Sequence, residues 1–141
     1  MQTKKNFVIG GVLLAATLLV AGCAPDCVSV PYVPGVNNSE KVGGHFLDRS
    51  VKVSNLYVTS QKNNTFRGQA TLTNLTSDRQ SLRYRFEWMR GDGQPAGYYS
   101  PWQPVVLYPS LSQVVTAMNR GGNQAQPATN FVVQVCHVES D

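Results

Sequence analysis

Ser81-Leu82-Arg83-Tyr84-Arg85-Phe86-Glu87-Trp88-Met89-Arg90 alternates without a break, with Leu82, Tyr84, Phe86 and Trp88 on one side of an extended chain and Arg83, Arg85 and Glu87 on the other. Successive side chains of a strand point to opposite faces. A period of two with large apolar residues at every second position therefore specifies a strand with one buried and one wet face. Gly91-Asp92-Gly93 closes the run with residues that tolerate positive φ, as a tight turn requires.

The same period extends outward in both directions. Upstream, Phe66, Gly68, Ala70 and Leu72 share one face of a segment that ends at Thr73-Asn74-Leu75-Thr76-Ser77-Asp78, and Val51 to Thr59 alternates up to the cluster Gln61-Lys62-Asn63-Asn64. Downstream, strands are predicted over Gln103 to Tyr108, Leu111 to Met118 and Thr129 to Val138, separated by Pro109-Ser110 and by Gly121 to Pro127. No segment of helical period competes after residue 22. Six or seven short strands with frequent turn signals predict an all-β domain over residues 51–141, a single antiparallel β-sandwich of immunoglobulin-like architecture. A small closed barrel is the alternative.

The amino-terminal segment has a different grammar. Lys4 and Lys5 precede a 14-residue apolar run, Phe7 to Val20, which is followed by Ala21-Gly22-Cys23. A helix rising 1.5 Å per residue needs about 20 apolar residues to cross a bilayer core, so the run reads as an export signal over residues 1–22. Its close resembles the lipobox of bacterial lipoproteins, which implies cleavage before Cys23 and acylation of that cysteine. An ordinary signal with an incidental cysteine is the competing reading. In such lipoproteins an aspartate after the cysteine favours inner-membrane retention. Ala24 at that position implies the periplasmic face of the outer membrane.

Removing the 22-residue signal from 141 residues leaves 119, enough for one core. With Cys23 assigned to lipid, Cys27 and Cys136 remain as an even pair in an oxidising compartment, and a disulfide between them is expected; two free thiols are the alternative. The bridge would close a loop of about 110 residues, for which the chain-entropy model gives at most about 4.7 kcal/mol. Residues 23–50 carry Pro25, Pro31, Pro34, Gly35, Gly43 and Gly44, and read as a tether with at most one short strand at Val28 to Val33.

The signal holds two of the 12 basic residues, so the mature chain carries ten against eight acids. That near-neutral balance gives no reason to expect nucleic acid as a partner. His45 and His137 are the only candidate neutral-pH bases, neither in a recognisable catalytic motif, and no paired carboxylates or phosphate-cradling glycine loop occur. Neighbouring strand residues such as Cys136 and His137 point to opposite faces, which argues against zinc. No cofactor, metal or catalytic residue is assigned. Asn37, Asn63 and Asn74 begin Asn-x-Ser/Thr triplets, read here as turn chemistry.

Two features carry a binding reading. Arg83 and Arg85 occupy the wet face of their strand and could meet an acidic partner, a lipid headgroup or a glycan; a plain solvated face is the alternative. Tyr98-Tyr99-Ser100-Pro101-Trp102 reads as an exposed loop that concentrates aromatics of the kind found at interface hot spots, with Trp102 alternatively capping the core.

The run Leu72 to Thr76, the strand Leu82-Arg-Tyr-Arg-Phe-Glu-Trp88, Gly93, Trp102, Leu111 to Met118 and Ala128-Thr-Asn-Phe131 resembles the YcfL-like family of small bacterial lipoproteins. Met89 and Arg90 depart from its pattern, which has an aromatic and an acid after the tryptophan. The resemblance implies a β-sandwich with no established catalytic residues, and envelope work in the context of peptidoglycan synthesis. The expectation is a non-enzymatic lipoprotein that binds a cell-envelope protein, with a glycan- or headgroup-binding module on the Arg83/Arg85 face as the alternative.

Overall fold

A computed structural model describes residues 26–34, 45–119 and 128–138. The predicted signal over residues 1–22, Cys23, Ala24 and Asn37 lie outside them. The described residues form nine strands: β1 (Cys27–Pro31), β2 (His45–Leu47), β3 (Val51–Ser60), β4 (Phe66–Asn74), β5 (Gln80–Arg90), β6 (Pro95–Tyr99), β7 (Gln103–Leu107), β8 (Ser112–Asn119) and β9 (Ala128–His137).

They make two antiparallel sheets packed as a sandwich. Sheet 1 has the order β1-β9-β5-β6, with β7 also pairing β5 beyond the end of β6; sheet 2 has the order β2-β3-β4-β8. The alternating residues of β5 are the centre of the core. Leu82, Phe86 and Trp88 are buried and pack with Phe131, Val133 and Val135 of β9 against Val53, Ala70, Leu72 and Val115 of sheet 2. Phe86 and Trp88 both meet Phe131, with ring centroids 4.9 and 6.0 Å apart. Burying each such ring is worth roughly 1.5–3 kcal/mol. Gly68 on β4 faces it, and a Cβ there would lie 3.0 Å from Phe131 and 3.1 Å from Phe86. The cluster thus occupies the space a side chain would need.

The expected disulfide is present. Cys27 and Cys136 are register partners on β1 and β9 and are bonded, with Cα atoms 4.1 Å apart. The bridge lies within one sheet and ties its edge strand to the neighbour.

Three boundaries differ from expectation. The stretch 23–50 is not all tether, since β1 and β2 belong to the two sheets and the sandwich starts before Val51. β1 overlaps the short strand expected at Val28 to Val33, and Pro31 is its last residue on a sheet edge, where a missing N–H is tolerated. The alternation of β3 is broken by a bulge between Ser54 and Tyr57, with Asn55 at φ 52°. One extra residue moves Leu56 and Val58 inward and turns Tyr57 out, where strict alternation would have buried Asn55 and Tyr57. Finally, Pro95–Tyr99 is a strand and not a loop; it pairs β5 at two positions across a bulge, with Gly97 at φ 89°.

Candidate functional site

The site is assembled by the path from β6 to β7 over the outer face of sheet 1. β6 runs back along β5 and brings Tyr99 beside Glu87. Ser100 then completes the ladder, its N–H donating to the Phe86 carbonyl at 2.8 Å and its hydroxyl accepting from the Phe86 N–H at 2.8 Å. Pro101 and Trp102 follow before β7 starts with Gln103 opposite Tyr84. Because Gln103 turns inward beside Tyr84, Trp102 must turn outward, and it lands on the arginines.

The Arg83 guanidinium lies 4.7 Å from the Trp102 ring, and that of Arg85 lies 4.5 Å from Trp102 and 4.2 Å from Tyr99. Arg83, Trp102, Arg85 and Tyr99 thus form one interleaved ladder. Arg85 Nε also donates to Gln134 Oε1 of β9 at 2.6 Å, which fixes its plane. Among the described residues neither arginine forms a salt bridge, and Arg83 Nε is buried without a hydrogen-bond partner. Cation–π contacts hold each guanidinium with about 0.5–1 kcal/mol, more where water is excluded, and leave its charge uncancelled. The face is a preorganised cationic surface flanked by aromatic anchors.

The predicted site residues therefore divide. Arg83, Arg85, Tyr99 and Trp102 come together, while Tyr98 turns to the other side of β6. Its hydroxyl donates to Asn119 Oδ1 on β8, linking the two sheets, and Asn119 Nδ2 in turn donates to the Ala128 carbonyl at 2.9 Å. Burial raises the Tyr98 phenol, and the Asn119 hydrogen bond partly offsets this. Trp102 does not cap the core; it is 37% exposed, and Trp88 fills that role at 1%.

Behind β6, between the β6–β7 edge and β8, opens a cleft of about 710 Å³ walled by Tyr84, Trp88, Tyr98, Tyr99, Gln103 and Met118, among others. Burial raises the Tyr84 phenol. Trp88 Nε1–H is buried with no hydrogen-bond partner among the described residues. Tyr99 belongs to both cleft and ladder, so the two adjoin.

A second polar group was invisible in the sequence, because its members are 87 and 89 positions apart. His137 Nε2 lies 2.9 Å from Asp48 Oδ2 and 3.3 Å from Ser50 Oγ, and Ser50 also donates to Asp48 Oδ1. Both neighbours approach the same ring nitrogen, whereas a proton relay needs the acid and the nucleophile on opposite nitrogens. The group is a clasp between the β2–β3 turn and β9. His45 stands exposed at the start of β2. Among the described residues no three His, Cys, Asp or Glu side chains gather as a metal site, and no helix is long and apolar enough to cross a membrane.

A family model described as "Protein of unknown function (DUF1425)" matches residues 38–136. No curated protein matches the chain. Among solved structures, a DUF1425 family member from Shewanella sp. pv-4 is similar at 21% identity and a TM-score of 0.51, over 64% of this chain and 81% of that one. The Campylobacter jejuni protein cj0090 aligns at 10% identity and a TM-score of 0.49, over 61% of this chain and 85% of its own. The Shewanella likeness is one of fold.

Proposed function

We propose, since this chain belongs to the DUF1425 family of proteins of unknown function, that it is a non-enzymatic lipoprotein of the YcfL-like kind, anchored through Cys23 at the periplasmic face of the outer membrane and docking an acidic cell-envelope protein. The observation that carries the docking reading is the Arg83–Trp102–Arg85–Tyr99 ladder, two arginines stacked on rings and, among the described residues, paired with no carboxylate. Aromatic and arginine side chains dominate binding hot spots, and these are already held in place, so little ordering is needed on contact. The peptidoglycan-synthesis context implied by the family resemblance names where the partner is to be sought.

Crosslinking in intact cells tests this. The unaltered protein should capture an envelope protein, and an Arg85→Ala/Trp102→Ala variant should lose that product by about tenfold or more, as removal of hot-spot residues does. Equal capture by the variant would refute the docking face. Mass measurement of the mature amino terminus tests the anchor, where an unacylated Cys23 would refute it.

The cleft favours a second reading, in which the same edge binds cell-wall glycan or a lipid headgroup. Its aromatic walls suit a sugar ring, and the unpartnered Trp88 N–H is a donor awaiting an acceptor. Sedimentation with sacculi or liposomes, lost in an Arg83→Ala/Arg85→Ala variant, would favour this reading over a protein partner.

A further inference from the structure

The two ends of the sandwich are not alike. At one end lie the start of β1, the end of β9 and the turns β2–β3, β4–β5 and β7–β8, stitched into a single rim by hydrogen bonds. His137 N–H donates to the Asp26 carbonyl at 3.0 Å, Leu75 N–H to Ser50 at 2.8 Å and Asn74 N–H to Leu111 at 3.0 Å. The Asp48–His137 clasp at 2.9 Å joins the β2–β3 turn to the same rim.

This rim carries exposed apolar side chains where turns ordinarily carry polar ones. Leu75, Tyr108, Leu111 and Val138 are 49%, 58%, 59% and 48% exposed. They project from a fixed base. Asn74, 1% exposed, donates to the carbonyls of Asp78 at 2.7 Å and Leu107 at 3.0 Å and accepts from Thr76 N–H at 2.9 Å, locking the β4–β5 turn against the end of β7. The rim carries no excess of positive charge, with Arg49 and Arg79 set against Asp26, Asp48 and Asp78. Attraction to anionic lipid therefore adds little.

The anchor proposed at Cys23 argues for a membrane surface as the occupant. Cys27 stands at this end, held there by Cys136, and Cys23 is four residues before it. Four peptide steps of 3.8 Å reach about 15 Å at most. Wherever an acyl chain on Cys23 enters the bilayer, this rim and not the opposite end is within reach of the headgroups.

We propose that Leu75, Tyr108 and Leu111 insert into the headgroup layer of the membrane that holds Cys23, so that the sandwich stands on the bilayer with its strands near the normal. The inference rests on the lipid-anchor reading of Cys23. The anchor supplies the attachment, and the three apolar tips supply the orientation, entering only the outer 5–10 Å as interfacial apolar faces do.

The test uses the full mature lipoprotein in vesicles of phosphatidylethanolamine and phosphatidylglycerol containing bromine-labelled acyl chains. Two single-tryptophan additions are compared at exposed sites, Leu111→Trp on the rim and Lys62→Trp at the opposite end, with the native Trp88 and Trp102 as a shared background. The rim probe should be quenched at least about twofold more than the distal one, and this should persist in about 1 M salt, where charge attraction is screened within ~3 Å. A Leu75→Asn/Tyr108→Ser change in the Leu111→Trp background should abolish the difference while the protein stays in the vesicles. Equal quenching of both probes on a vesicle-bound, acylated protein would overturn the orientation and leave the anchor standing. Rim shielding that rises with protein density and not with bromine would overturn it in favour of a second copy as occupant. A protein without acyl groups that leaves the vesicles would overturn both.

Discussion

The outer faces of the two sheets are built by the same rule and end as different surfaces. On sheet 2, Lys52, Tyr57 and Thr59 of β3, Arg67, Gln69, Thr71 and Thr73 of β4, and Ser112, Val114 and Thr116 of β8 alternate outward, and side-chain contacts there are of the modest kind made by the Thr73 and Ser112 hydroxyls at 2.7 Å. On sheet 1, Arg83 and Arg85 alternate outward in the same way but are half-buried under Trp102 and Tyr99, whereas Arg67 is exposed. Alternation supplies an outward face; it does not make a site. The difference is the three-residue crossing Ser100-Pro101-Trp102 from β6 to β7, which with Tyr99 at the end of β6 lays two rings across the cations.

The largest expected effect concerns the framework under that face. Sheet 1 is closed at its β1 edge by the Cys27–Cys136 bond, for which sheet 2 has no covalent counterpart among the described residues. Cys27→Ser/Cys136→Ser should cost up to about 4 kcal/mol in denaturant unfolding, because the unfolded chain regains a long loop. A cost below roughly 0.5 kcal/mol would mean that pairing with β9 holds β1 without it. Next in size is Gly68→Ala on β4, which drives a methyl into Phe131 and Phe86; about 1–3 kcal/mol is expected from such overpacking, against near neutrality for Thr71→Ala on the opposite face of the same strand.

Trp102→Ala sharpens the contrast directly. It should lower stability by about 1 kcal/mol or less while reducing partner capture about tenfold, and Gln69→Ala on sheet 2 should change neither. The smallest effect is one of pH. Burial pulls the Asp48 carboxyl upward, but hydrogen bonds from the Ser50 hydroxyl and N–H and the adjacent His137 ring more than reverse this, leaving it below the usual carboxylate value of 3.8. A group depressed in the folded state contributes fully above its unfolded value and loses that contribution as pH falls through its folded value. Asp48→Asn should therefore narrow the stability difference between pH 6 and pH 3, read from paired denaturant midpoints, and an unchanged difference would show that the clasp carries no pH dependence.

What the sequence made legible follows from range. Period two at Leu82–Trp88 is local and strong, so the decisive strand, its buried face and its arginines could be read directly. The bulge at Asn55 could not, since Asn at positive φ costs little and leaves no local mark beyond one residue out of phase. β1 was legible as the short strand at Val28 to Val33, whereas β6 was obscured because Pro95 and Gly97 are turn residues by composition and become strand residues only beside β5. The aromatic cluster was legible as a candidate, but which rings meet the arginines was not. Tyr98 and Tyr99 are neighbours in sequence and face opposite ways only once β6 is paired. The Asp48–Ser50–His137 clasp depends on the meeting of two sheets and has no sequence signature at all.

The position of the disulfide also decides how the molecule bears force. If the chain is held by its amino terminus, as proposed for Cys23, any pull arrives first at β1, a five-residue edge strand that could otherwise be peeled from the sheet one hydrogen bond at a time. The bond sits at the first residue of that strand, opposite Cys136. Tension is therefore handed at once to β9, which is gripped along its length by β1 and β5, and must shear a whole strand rather than unzip an edge. The sandwich resists a pull applied at its amino-terminal end.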